Sequence, residues 1–439
     1  MDTIVQKKEI KSFPGYTGKM PSKMYSGYMN VARNKYNFYI FAECEENPKK
    51  CPLVFWTNGG PACSGLLGFF EENGPFTPIS SSKLKYNPYT WIKYANMVFM
   101  EQPAGTGFSI AETKKANTAD DKSAAKDNLS FIIEFLEAYP EFKEHDIYLA
   151  SESYGGHYIP TWTDEILKYN KSANKDLKIK LKGYIIGNPY VNYTSGWDDQ
   201  VQTYWGHQKI PKHLWDDYKR RGCPNASKKV WQKKQCQALS YKITDAVGKI
   251  NPYAMDYPLC INDQQNRLIQ TTMFKNKKTK KSSYNPCIDK YTQKFLRKKS
   301  VQKKLHVKTK KIKWRACSDT VKYSMKDQWF STVEIIDSHM GKLTPKDFRI
   351  LIMSGTDDSI CATVGTQTWI NALKNIKLTK DSWVQYFVDK EPSGYIQKHV
   401  GKDDRKFDFV TVEFAGHEIP EYRPKEALHV FKKWISNTL

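Results

Sequence analysis

Along this chain, short runs that are apolar on both faces alternate with longer stretches whose apolar residues recur at helical spacing. Tyr36–Phe41, Pro52–Trp56, Asn96–Met100, Ile147–Ala150, Ile179–Ile186, Phe348–Gly355 and Phe407–Phe414 are runs of the first kind and predict strands. The first two are expected to be neighbours, joined by the polar turn Glu45–Lys50. Ala119–Ala138 is of the second kind, with Leu129, Ile132, Ile133 and Leu136 on one face and Pro140 as its stop. The stretch carrying Trp162, Ile166, Leu167 and Tyr169 also reads as helical, as does the one opened by Pro424 and continued by Leu428, Phe431, Trp434 and Ile435. Strand and helix in alternation argue for an α/β fold with a mostly parallel central sheet covered on both faces.

From about Val191 to Lys313 the pattern lapses. That stretch is polar, lysine-rich and poor in strand signals, and it holds four cysteines. It is expected to be a mainly helical insertion, or cap, over 191–315, between a first part of the core (1–190) and a second (316–439). The 439 residues, 40% hydrophobic and 14% aromatic, suffice for such a core.

The insertion also carries most of the charge. Between Lys275 and Lys313 sixteen Lys/Arg face one acid, Asp289, a net +15 within a chain total of +23. No nucleic-acid motif accompanies the run, so it reads as a solvated lysine-rich excursion and no nucleic-acid partner is expected. Mean hydropathy is −0.66. With no run of 18 apolar residues, no membrane span is expected. The opening MDTIVQKKEIKSF shows no apolar signal-peptide core.

The candidate chemistry sits at Ser151-Glu152-Ser153-Tyr154-Gly155-Gly156. A serine flanked by small residues, between a buried strand and a helix, has the layout of a nucleophile elbow, although Ser151 stands where G-x-S-x-G has glycine. Such a serine needs a base and a group to orient it, in the chain order Ser, Asp or Glu, His. Two strand-end loops supply them in that order: Thr356-Asp357-Asp358-Ser359, and Ala415-Gly416-His417-Glu418. Spacing alone leaves Asp357 and Asp358 equivalent. Upstream, Asn58-Gly59-Gly60-Pro61 forms a glycine-rich loop with backbone amides exposed at close range.

Several blocks together resemble the serine carboxypeptidase family of α/β-hydrolases. Trp56-Thr57-Asn58-Gly59-Gly60-Pro61-Ala62-Cys63-Ser64 is similar to W-x-N-G-G-P-G-C-S, Glu72-Asn73-Gly74-Pro75 to E-x-G-P, and Gln102 to Ser109 to Q-P-x-G-x-G-x-S. Glu152 to Pro160 is similar to E-S-Y-x-G-x-Y-x-P, and Asp358-Ser359-Ile360-Cys361 and Gly416-His417 complete the set. The departures are Ser151 and Ala62 for glycine and Gly65 for serine.

The resemblance implies Ser153 as nucleophile, His417 as general base and acid, and Asp358 rather than Asp357 as its orienter. It implies an oxyanion hole from the backbone N–H groups of Gly60 and Tyr154. It further implies that Trp56, Asn58, Gly59, Glu72 and Glu152 hold the free C-terminal carboxylate of a peptide. Two glutamates facing a carboxylate must share a proton, so binding is expected to be best in acid. The implied activity is serine-type carboxypeptidase, with peptide or protein C-termini as substrate and no metal or other cofactor. Related acyltransferases usually carry Asp before the serine, so Glu152 favours hydrolysis. An acyltransferase, or a non-catalytic scaffold retaining the fold, is the alternative.

The nine cysteines form no CxxC metal spacing. The resemblance implies bridges Cys63–Cys317, Cys223–Cys236 and Cys260–Cys287, with Cys361 a buried free thiol. Cys44 and Cys51, flanking one turn, form a fourth candidate pair. Bridges suit an oxidising compartment, and the resemblance implies a lysosome- or vacuole-like or secreted location. A monomer or homodimer is expected. N-x-S/T sequons occur at Asn128, Asn170, Asn192 and Asn225.

Overall fold

The computed structural model describes residues 7–192, 197–223, 234–260, 284–308, 312–324, 326–341, 343–380 and 382–439. The framework is one large twisted sheet. In chain order its main strands are β1 (Met24–Ala32), β2 (Lys35–Ala42), β3 (Leu53–Thr57), β4 (Asn96–Met100), β5 (Ile147–Glu152), β6 (Leu181–Gly187), β7 (Arg349–Gly355), β8 (Val384–Val388), β9 (Glu391–Val400) and β10 (Lys406–Val412). Across the sheet they run β1-β2-β4-β3-β5-β6-β7-β10-β9, with β8 on β9. The centre, from β4 to β10, is parallel; β1, β2, β8 and β9 pair antiparallel at the flanks.

One expected adjacency is corrected. β2 and β3 are not neighbours, because β4 lies between them, antiparallel to β2 and parallel to β3. All five residues of β4 are buried, as suits a slot paired on both edges.

Alternate residues of the strands feed two cores. Leu53, Phe55, Leu149, Ile186, Ile350 and Ile352 face the helices α1 (Asp121–Ala138) and α2 (Gly155–Ser172), meeting Phe131, Phe135, Trp162 and Ile166. Val54, Trp56, Ala150, Ile185, Leu351 and Val412 face the other way, onto a cluster that includes Val430, Phe431 and Trp434. α1 begins with a capping box in which Asp120 and Ser123 bond each other's backbone amides, a motif worth about 1 kcal/mol.

The region expected as an insertion carries α3 (Trp197–Gly206), α4 (Lys212–Arg220), α5 (Lys234–Val247) and α6 (Ile288–Leu296). It has a small core of its own from Val201, Tyr204, Leu214, Tyr218, Leu239 and Ile243. After β7 come α7 (Thr363–Asn371), the short α8 (Ile419–Tyr422) and α9 (Pro424–Ile435), which starts at the expected proline. Residues 275–283 and 309–311 of the lysine-rich run, and the sequon at Asn225, lie outside the described residues. No described helix is long and apolar enough to cross a membrane.

Disulfides join Cys44 to Cys51, Cys63 to Cys317, Cys223 to Cys236 and Cys260 to Cys287, and Cys361 is a buried free thiol. The longest tie, Cys63–Cys317, fastens the Asn58–Gly60 loop to the second half of the chain. Of the sequons, Asn128 is buried in α1, where a glycan has no room, and Asn170 is engaged through both side-chain atoms with the backbone of Ile179.

Candidate active site

Ser153 stands between β5 and α2 with φ +57°, a left-handed conformation that costs a non-glycine residue about 1–2 kcal/mol. The surroundings hold it there. Its N–H donates to Gly187 O at 3.0 Å, and its carbonyl accepts from the N–H groups of Gly156 and Tyr190 at 2.9 and 2.8 Å. The turn works because glycines surround it. A Cβ on Gly59 would lie 2.5 Å from Tyr154 N and 2.8 Å from Ser153 Cβ, so the loop after β3 packs directly on the elbow. The backbone N–H groups of Gly60 and Tyr154 make no hydrogen bond among the described residues.

Asp358 and His417 come from the loops after β7 and β10, and thus from the same C-terminal edge of the parallel sheet as Ser153. His417 Nδ1 lies 2.6 Å from Asp358 Oδ2, and both residues are buried. Asp358 is further fixed by three donors: Asn188 Nδ2 at 2.8 Å, Ile360 N at 2.7 Å and Cys361 N at 3.2 Å. Burial opposes protonation of His417, but the carboxylates of Asp358, Glu418 and Glu72 override it and push the imidazole up to about 9. Burial also raises the Cys361 thiol well above its ordinary value, as does the neighbouring Asp358 charge, so the thiol is kept neutral.

Asp357 turns away from this pair. Its Oδ2 accepts the N–H of Asp256, and its carbonyl accepts that of Met255. The two aspartates that spacing left equivalent are therefore separated by the structure.

Next to the elbow lies a buried acidic pair. Asn58 Nδ2 donates to Glu72 Oε1 at 2.7 Å and to Glu152 Oε1 at 2.6 Å. The amide is held from behind, because Asn58 Oδ1 accepts from Trp56 Nε1 at 2.9 Å and Gly68 N at 3.1 Å. Glu72 rides on a π-helical turn, Gly68–Glu72, a local distortion frequent at functional sites. A Cβ at Gly68 would overlap the Trp56 indole nitrogen, so glycine is what lets that turn approach. Burial raises Glu152 well above the usual carboxylate range, and the adjacent Glu72 charge adds to it; Glu72 is raised by burial too. The second oxygens, Glu72 Oε2 and Glu152 Oε2, are buried without a partner among the described residues.

A family model described as serine carboxypeptidase matches residues 14–437. The chain belongs to the serine carboxypeptidase family. Serine carboxypeptidase 24 of Arabidopsis thaliana is 33% identical over 98% of this chain and 92% of its own length. Serine carboxypeptidase-like 34 of the same plant is 30% identical over 98% and 88%. Among solved structures, Kex1(delta)p, a prohormone-processing carboxypeptidase from Saccharomyces cerevisiae, shares the fold with a TM-score of 0.76. It has 21% identity, over 98% of this chain and 95% of that one. The chain is thus a hydrolase of the serine carboxypeptidase class, with the mostly parallel sheet of an α/β-hydrolase.

Two departures from the serine carboxypeptidase pattern, Ser151 and Gly65, have local explanations, and nothing in the structure explains the third, Ala62. Ser151 is buried, and a Cβ on Gly155 would collide with its Oγ and Cβ; the helix begins with glycine where the strand carries the extra atoms. Gly65 presses on the Met100 carbonyl, where a side chain would clash. Ala62 sits at φ +64°, a conformation that suits glycine better, and its N–H donates to Tyr158 Oη at 3.1 Å.

Sequence reasoning missed three contributors. Asn188, just past the end of β6, donates to Asp358 and accepts from Gly355 N. The segment Asn251–Tyr257 clamps both strand-end loops: Tyr253 O accepts from His417 N at 2.7 Å, and Pro252 O accepts from Ser359 N at 3.1 Å. Asp121, at the start of α1, accepts from Tyr154 Oη at 3.0 Å and Tyr323 Oη at 2.8 Å and lies 2.8 Å from His157 Nδ1, anchoring the residue after Ser153. None carries a sequence signal beyond its residue type.

Proposed function

We propose that this enzyme removes the C-terminal residue of peptides by acyl transfer through Ser153. The observation that carries the reading is the Asn58 amide holding two buried carboxylates beside the elbow. A fully ionised Glu72–Glu152 pair would repel a substrate carboxylate. With a proton on the pair, one glutamate donates to the substrate carboxylate and the other stays bound to Asn58. Asn58, Trp56 and the Gly59 backbone complete the cradle.

With the C-terminus seated there, the last peptide carbonyl lies over the elbow. Ser153 Oγ attacks it as His417 takes the hydroxyl proton, and Asp358 fixes the imidazole through Nδ1 and stabilises its charged form. The N–H groups of Gly60 and Tyr154 receive the developing oxyanion, a contribution of about 3 kcal/mol per donor. His417 returns the proton to the departing amino acid. Water then attacks the acyl-enzyme, with His417 again as base, and releases the shortened peptide.

The test compares a blocked dipeptide bearing a free C-terminal carboxylate with its C-terminal amide at about pH 5, on the acid side where the shared proton is retained. Fast release from the acid and slow release from the amide, with fluorophosphonate labelling lost in Ser153→Ala, is the expected result. Equal rates on both substrates would remove the carboxylate cradle. Preferential transfer to an added alcohol would make the enzyme an acyltransferase.

A further inference from the structure

Asp357, the aspartate that the His417 pair leaves aside, is buried with its Oδ1 unpartnered among the described residues. Around it stand His207, just past the end of α3, and Asp256, in the segment that clamps the strand-end loops. One imidazole nitrogen of His207 and one carboxylate oxygen of each aspartate all lie within 4.8 Å of one another. The three residues come from three separate stretches of chain, so no motif spacing connects them.

Donors about 2.1 Å from a zinc ion at tetrahedral angles sit about 3.4 Å apart, so the two exposed side chains, His207 and Asp256, would have to rotate inward to share an ion with Asp357. An imidazole with two carboxylates suits a borderline ion such as zinc, whereas calcium and magnesium favour all-oxygen shells. A competing cation is already present: Lys209 Nζ lies 3.0 Å from Asp256 Oδ1.

We propose that His207, Asp256 and Asp357 form a divalent-cation site for zinc or a similar transition ion, tying the insertion to the loop that carries Asp358. The ion would touch no reacting atom. Its effect is to hold the Asn251–Tyr257 segment against the strand-end loops. The proposal does not rest on the peptidase reading, because its test is binding.

The full-length protein is stripped with EDTA, dialysed, and titrated calorimetrically with zinc chloride. One saturable site is expected. His207→Ala and Asp256→Asn should each weaken zinc by about ten-fold or more, since even outer-shell losses cost that much. Lys209→Ala should tighten it by removing the rival cation. Thermal unfolding of each variant in EDTA shows that it is folded before zinc is added. No saturable binding to the parent protein, an affinity that both His207→Ala and Asp256→Asn leave unchanged, or weakening by Lys209→Ala would overturn the proposal.

Discussion

Glu152 and Glu72 meet on a single amide nitrogen, Asn58 Nδ2, at 2.6 and 2.7 Å. An amide can donate to both but cannot neutralise either, so under the proposed carboxylate-binding role the pair relies on a shared proton when substrate arrives. Glu152→Gln supplies a permanent donor in nearly the same shape. The expected outcome is a kcat/KM on free-acid substrates that no longer falls as pH rises toward neutrality, with the change mainly in KM. A pH profile of Glu152→Gln that still falls like that of the parent enzyme would place the controlling proton elsewhere. His417 works in the opposite direction: against burial, Asp358, Glu418 and Glu72 push it up to about 9, so the ring is freed as a base only as pH rises.

Asp358 receives three donors besides His417, so its carboxylate is held in one orientation. Asp358→Asn would turn an amide N–H toward a donor and favour the wrong imidazole tautomer. A loss of about 10⁴ in kcat with KM little changed is expected, from the behaviour of such triads. Asn188→Ala removes one donor and leaves the charge, so its loss should be far smaller. Steady-state kinetics on the two variants separates the roles, and equal losses would contradict them.

The sequence made the centre of the sheet legible and its flanks much less so. Asn96–Met100 is apolar at every position after Asn96, and its pattern predicts the strand with the bounds it has. β1 was missed because Ser26, Gly27 and Asn30 interrupt its apolar pattern, although most of the strand is buried. β9 opens with Glu391-Pro392-Ser393-Gly394, which reads as a turn. Within the site, Ser153, Asp358 and His417 carry motif signals, as do Glu72 and Glu152. Asn188 and Tyr253 act through one side-chain amide and one backbone carbonyl, and neither role leaves a mark on residue type. The Asp357–Asp358 ambiguity was a matter of direction, which spacing does not encode.

Buried carboxylates set the stability profile. Burial pushes Glu101, Asp199, Asp357 and Glu418 up to about 7 and Asp408 to about 6, from ordinary values of 4.5 for Glu and 3.8 for Asp. A group that holds its proton more tightly in the folded state contributes stability that is complete below its unfolded pKa and is lost as pH rises through the folded one. His417, raised to about 9, has the same sign at higher pH. The fold should therefore be most stable at about pH 4–5 and weaken steadily to pH 7 and beyond. Urea midpoints measured across that range on the disulfide-intact protein should fall monotonically. A midpoint that rises from pH 5 to pH 7.5 would show that these groups are ionised at no cost.

Ala62 is the departure with the clearest energetic sign. Its φ of +64° carries the left-handed penalty of about 1–2 kcal/mol that a glycine would not. Glycine in turn loosens the unfolded chain by about 0.4–1 kcal/mol. The balance favours Ala62→Gly by about 0.5–1 kcal/mol, read as a higher urea midpoint. The hydrogen bond from the residue-62 N–H to Tyr158 Oη is a backbone one and survives the change. Because the Ala62 side chain is a methyl with no polar atom to hold Asn58 or Ser153, kcat should stay near the parent value while stability rises. A drop in midpoint would mean that the Ala62 methyl, which is buried, contributes more by packing than its backbone conformation costs.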